Sequence, residues 1–195
     1  METTPVTWLA YDPNHAPNET VEDELWKMFD INAGVIALDD TYAEQKNLPQ
    51  AQRFPWDESK GIYILNAHHN LHCLNLIRHS LRQYSSGEPQ TEIAGHVSHC
   101  IDALRQDIIC NADDTPRWTG YAPRVSGVGQ IHQCRDWSRL DAWAKAHTAC
   151  YKQIALKGDD GLERYTFCPP GSSYLEKVRV FYPDTDSGRD VGERS

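Results

Sequence analysis

The sequence predicts a mainly α fold: a small helical domain with long loops, two similar helices packed face to face, and disulfide support. Three observations carry that expectation. Apolar residues recur at helical spacing in four segments of the 195-residue chain. Prolines and glycines cluster between those segments. One segment is also a near copy of another, 27 residues further on.

Taken in order, residues 1–19 are Pro-containing and read as an irregular N-terminal segment. A first helix starts at Thr20, where Asp23 completes a capping-box pattern and Val21, Leu25, Trp26 and Phe29 form an apolar stripe. Residues 31–62 show no long period and read mostly as loop, with 61–65 a short strand or extended lead-in. A helix over 66–84 ends at Ser85-Ser86-Gly87-Glu88-Pro89, and another covers 92–110. The stretch 111–130 holds Pro116, Pro123, Gly127 and Gly129 and reads as a long loop. A last helix over 136–151 places Trp137, Leu140, Ala144, His147 and Tyr151 on one side. The expected organisation is one domain over 20–182 and a disordered tail over 183–195.

Nineteen aromatic residues argue against intrinsic disorder, and 28 acidic against 19 basic residues give a net charge of −9. That balance disfavours nucleic acid or an anionic membrane as partner. No apolar run reaches the length of a membrane span, and no signal peptide is visible at the N-terminus. No nucleophile elbow, P-loop, dinucleotide fingerprint or HExxH motif occurs. Asn18-Glu19-Thr20 is a glycosylation sequon, which together with six cysteines leans towards an oxidising compartment.

The repeat carries the chemistry. His69-Asn70-Leu71-His72-Cys73 and His96-Val97-Ser98-His99-Cys100 are two HxxHC motifs, followed by matching Ile77/Leu104, Arg78/Arg105 and Leu81/Ile108. On a helix, positions i, i+3 and i+4 share one face, so both histidines and the cysteine of each copy point the same way. Two such helices opposed would converge four imidazoles: His69, His72, His96 and His99. Neutral imidazole suits zinc, copper, iron and nickel, and the spacing does not choose among them. Cys73 and Cys100 are either thiolate ligands or halves of disulfides, with at least two bridges expected, mainly among Cys73, Cys100, Cys110 and Cys134. His68 and His79 are expected on the surface and His147 in packing. His132, beside Cys134 and after a Gly-rich loop, is a candidate catalytic base or extra ligand.

At these residues the chain resembles the UstYa-like family of fungal mycotoxin-biosynthesis proteins, whose signature is a pair of HxxHC motifs. The resemblance covers roughly residues 20–150 and extends through Cys110-Asn111-Ala112-Asp113-Asp114-Thr115-Pro116 and His132-Gln133-Cys134-Arg135-Asp136-Trp137. It implies an oxygen-using oxidoreductase that tailors secondary metabolites, notably ribosomal peptides, by oxidative cyclisation, dehydrogenation, hydroxylation or halogenation. It further implies copper as cofactor, with zinc and iron as alternatives, and His69, His72, His96 and His99 as metal ligands. A peptide or other small-molecule substrate and a homo- or heterodimer are compatible with it. Many members begin with a membrane-spanning helix that nothing here matches, which leaves lumenal and cytoplasmic locations both open. Two other classes compete: a redox-neutral metal-dependent cyclase or dehydratase, and a non-catalytic, metal-stabilised binding protein.

Overall fold

Val35-Ile36-Ala37-Leu38 is an unbroken apolar run, and it forms all but the last residue of strand β2 (Val35–Asp39), buried on both faces. In the computed structural model, which describes residues 3–7, 19–119, 127–154 and 161–183, this strand pairs antiparallel with β4 (Asp57–Ile64). β4 also pairs with the short β3 (Arg53–Phe54), giving the order β2-β4-β3. Successive side chains of β2 point to opposite faces and therefore enter two different cores. Val35 and Ala37 pack with Phe54, Trp56, Ala149, Cys150, Cys168 and Val178. Ile36 and Leu38 pack with Ala144, Tyr63, Leu65 and Trp143.

About half of the described residues are helical. The helices are α1 (Glu19–Lys27), α2 (Asp40–Gln45), α3 (Asn66–Ser86), α4 (Ala94–Asn111), α5 (Trp137–Ala146) and α6 (Leu175–Phe181). Among the described residues, none is long and apolar enough to cross a membrane. The chain divides into two compact units, Met1–Phe29 with Asn70–Leu140, and Asp30–His69 with Asp141–Ser195. The division falls within α3 and α5.

The mainly α expectation is corrected by two small sheets. Residues 31–62 contain β2, α2, β3 and most of β4 rather than loop. A strand buried on both faces loses the alternation that marks a half-exposed one, so its period is silent. Thr3–Thr7, expected to be irregular, is strand β1, paired antiparallel with β5 (Ile131–Arg135) from Thr3↔Arg135 to Thr7↔Ile131. Pro5 is tolerated because both strands of a two-stranded sheet are edges. The helix expected over 136–151 stops at Ala146, because the chain then runs along β2: Ala149 N–H donates to Val35 O (3.1 Å) and Ala37 N–H to His147 O (2.8 Å). The loop expected over 111–130 has no helix or strand after α4 in its described part. Residues 120–126 and the tail 184–195 lie outside the described residues.

At α1 the capping reading of Asp23 is replaced by an ion-pair cluster. Arg78 Nε donates to Glu22 Oε1 (2.8 Å) and Arg82 Nη1 to Asp23 Oδ1 (2.6 Å), while the Arg78 guanidinium lies 5.5 Å from the Trp26 ring centroid. Val21 and Leu25, expected to be buried, are exposed.

The cysteine expectation is also corrected. All six cysteines are among the described residues, and the one disulfide joins Cys150 to Cys168. Cys73, Cys100, Cys110 and Cys134 stand outside any disulfide. Backbone pairing, with Phe167 N–H donating to Cys150 O at 2.9 Å, brings the bridged pair together.

Candidate functional site

The two motif cysteines occupy the centre of the unit that holds α4. Cys73 and Cys100 are fully buried and cluster with Leu76, flanked by Ile77, Val97, Ala103 and Leu104. Burial, above all, pushes the Cys73 thiol up to about 12, and a thiol hydrogen bond with Cys100 adds to the effect. Cys73 is therefore a protonated, packed thiol at neutral pH.

One residue before Cys73, and four before Cys100, stand His72 and His96. Their ring centroids are 5.9 Å apart, so the structure brings together one imidazole from each copy of the repeat. His96 is oriented from its own helix. Its Nδ1 lies 3.1 Å from Glu92 Oε2, and because a carboxylate only accepts, Nδ1 is the donor; in the neutral ring Nε2 then keeps its lone pair. His69 lies one turn before His72 on the continuous helix α3, with its backbone N–H donating to Leu65 O (3.0 Å). His99 is on the exposed side of α4, and its charge contributes to holding the Asp102 carboxyl below the usual range, after the larger effects of hydrogen bonds from Arg105 and Gln106. Among the described residues, no three His, Cys, Asp or Glu side chains are grouped closely enough to hold a metal.

The other histidines are placed as follows. His132, on β5, is 6% exposed, with Nδ1 3.9 Å from Asp113 Oδ2. His79 is exposed, and His147 packs, its ring stacked on Trp143 at 4.2 Å. His68, expected on the surface, is 1% exposed, with Nε2 3.7 Å from Asp141 Oδ1. Burial pushes its pKa down and outweighs the opposing pull of Asp141. It occupies the space left by Gly34, where a Cβ would fall 2.2 Å from His68 Cβ. Sequence reasoning missed both carboxylates, Glu92 and Asp113. The first had a signal, its position four residues before His96 on a helix; the second had none, since its partner follows a long loop.

Residues 9–147 match the family model described as mycotoxin biosynthesis protein UstYa. The chain is 38% identical over 182 residues to the chlorinase cctP2 of Talaromyces islandicus, covering 87% of this chain and 56% of that protein. It is 35% identical over 139 residues to the hydroxylase cctR of the same organism, covering 70% and 53%. It is 33% identical over 85 residues to the oxidase ustYa of Aspergillus flavus, covering 42% and 40%. The chain spans about half the length of these curated relatives. No solved structure matches it.

Proposed function

The chain belongs to the UstYa family of mycotoxin-biosynthesis proteins, and on that premise we propose that it is an oxidoreductase tailoring a fungal secondary metabolite. The relatives named as chlorinase, hydroxylase and oxidase support an oxidative reaction on the substrate, a peptide on this reading. Copper would be the metal on this reading, with His72 and His96 as the pair already brought together and His69 and His99 as the further ligands.

The observation that carries this reading is the His72–His96 pair. An imidazole centroid lies about 3 Å from a metal bound at its nitrogen, given the metal–nitrogen bond of about 2 Å. Two imidazoles with centroids 5.9 Å apart therefore fit opposite sides of one ion. His69 and His99 each lie one turn from a member of the pair on their own helices. A bound copper ion supplies one-electron chemistry with dioxygen. This chain's own residues do the rest. Glu92 holds the Nδ1 hydrogen of His96 and aims Nε2 at the donor position, while the apolar packing of Cys73, Leu76 and Cys100 keeps water from beneath the pair. His132, with Asp113 3.9 Å from its Nδ1, is the group we assign to proton transfer.

The test pairs metal content with oxygen dependence. Protein purified without added metal is expected to carry copper and to consume dioxygen with turnover. His72→Ala and His96→Ala are expected to lose metal, and His79→Ala to keep it. Zinc in place of copper, with turnover indifferent to oxygen, would establish the redox-neutral alternative instead.

A further inference from the structure

One face of the β2–β4 pair opens into a cleft of about 510 Å³, within the range that holds small ligands. Val35, Ile62 and Ile64 line it from the sheet; they share a face because Val35 pairs with Ile64 and Ala37 with Ile62. Tyr151, Tyr165 and Leu162 line it too, the two tyrosine rings 5.4 Å apart. Gln52 and Arg164 add the polar groups, and no carboxylate is among the described lining residues. The cleft lies wholly within the unit Asp30–His69 with Asp141–Ser195.

Arg164 is the informative residue. Its backbone is fixed on both sides, N–H donating to Gly161 O (3.3 Å) and O accepting from Lys152 N–H (2.8 Å). Gly161 turns the chain into this segment at φ 45°, a conformation that favours glycine. Yet the Nε of Arg164 is buried with no hydrogen-bond partner among the described residues. A buried donor left unmade is costly, and a guanidinium offers Nε–H and Nη–H as a fork that matches one carboxylate. Burial also raises the pKa of Tyr165, consistent with a wall poorly reached by water.

We propose that this cleft binds a carboxylate carried on an apolar or aromatic body, the carboxylate forked on Arg164 and the body against Ile62, Ile64 and the tyrosine pair. The site does not rest on the metal reading of the histidines. The chemistry is shared by a free apolar acid and by the C-terminus of a peptide ending in an apolar residue.

The test follows the Arg164 Nε–Hε resonance in the full chain, assigned by its loss in Arg164→Lys. Three probes are titrated at neutral pH: 3-phenylpropanoate, acetyl-Gly-Phe with a free carboxylate, and the same dipeptide as its amide. Both carboxylates are expected to shift the resonance and to bind about tenfold or more tighter than the amide, as a charge-assisted pair requires. Tighter binding of acetyl-Gly-Phe names a peptide C-terminus as the source, and tighter binding of 3-phenylpropanoate names a free acid. Arg164→Gln is expected to reduce the carboxylates to the level of the amide. Ile64→Asp, on the 59% exposed rim position, tests the same site by repulsion without touching the core and should weaken carboxylate binding. Equal binding of acid and amide, an unmoved Nε–Hε resonance, or unchanged affinity in Ile64→Asp would each overturn the proposal.

Discussion

At His96 the hydrogen-bond acceptor on Nδ1 is a carboxylate, so Glu92 chooses the tautomer as well as the ring orientation. Glu92→Ala is expected to lower metal affinity about 10–100-fold, the usual effect of removing such a partner, and Glu92→Gln to lower it less because its amide oxygen still accepts. Competition with a chromophoric chelator measures both. The Gly34–His68 contact makes a stability prediction. A Cβ at residue 34 would meet His68 Cβ at 2.2 Å, so backbone must move, and Gly34→Ala should destabilise by about 1–3 kcal/mol in a denaturant melt. The thiols give a third. Cys110 is exposed and should alkylate in the native protein, whereas Cys73, buried and held up to about 12, should react only after unfolding. Mass spectrometry of the labelled protein reads the difference, and equal labelling of both would contradict this burial.

Helix α1 is attached to α3 through charge more than through its apolar stripe. Hydrogen bonding from Arg78 is the largest cause holding the Asp23 carboxyl below its usual 3.8, with Arg82 adding to it. A carboxylate whose folded pKa is depressed contributes stability above the unfolded value of about 3.9 and loses it as pH falls through the lowered folded value. Acidification below that point should therefore loosen α1, and Asp23→Asn should flatten the transition; Trp26 fluorescence reports it, since Arg78 covers that ring. The side chain of Asp23 is 41% exposed, so screening keeps the effect small. Helices were the legible elements. The expected spans 66–84 and 92–110 are close to Asn66–Ser86 and Ala94–Asn111, because a 3.6-residue period is written in neighbouring residues. Strands were not. β2 hides its period by being buried twice over, and β1 has no meaning until β5 arrives beside it.

On the scale of the molecule, the Cys150–Cys168 bridge closes an 18-residue separation within the core of Phe54, Trp56 and Val178. Loop-closure entropy for that length is worth about 3 kcal/mol, so Cys150→Ala with Cys168→Ala should lower stability by that order, measured against the parent under non-reducing conditions. Destabilisation well below 1 kcal/mol would mean the pair adds little beyond its packing. The sequence by itself determined the two helices, the duplicated HxxHC motif, the shared face of each histidine pair and the family resemblance. All of these depend on residues a few positions apart, or on the direct comparison of two stretches. Tertiary structure decided which imidazoles meet, His72 with His96, and that His68 is buried rather than exposed. It also left the motif cysteines as thiols, bridged Cys150 with Cys168, and gave the buried Arg164 Nε no acceptor among the described residues. Each of those outcomes turns on burial and on contacts between distant parts of the chain, which residue spacing does not encode.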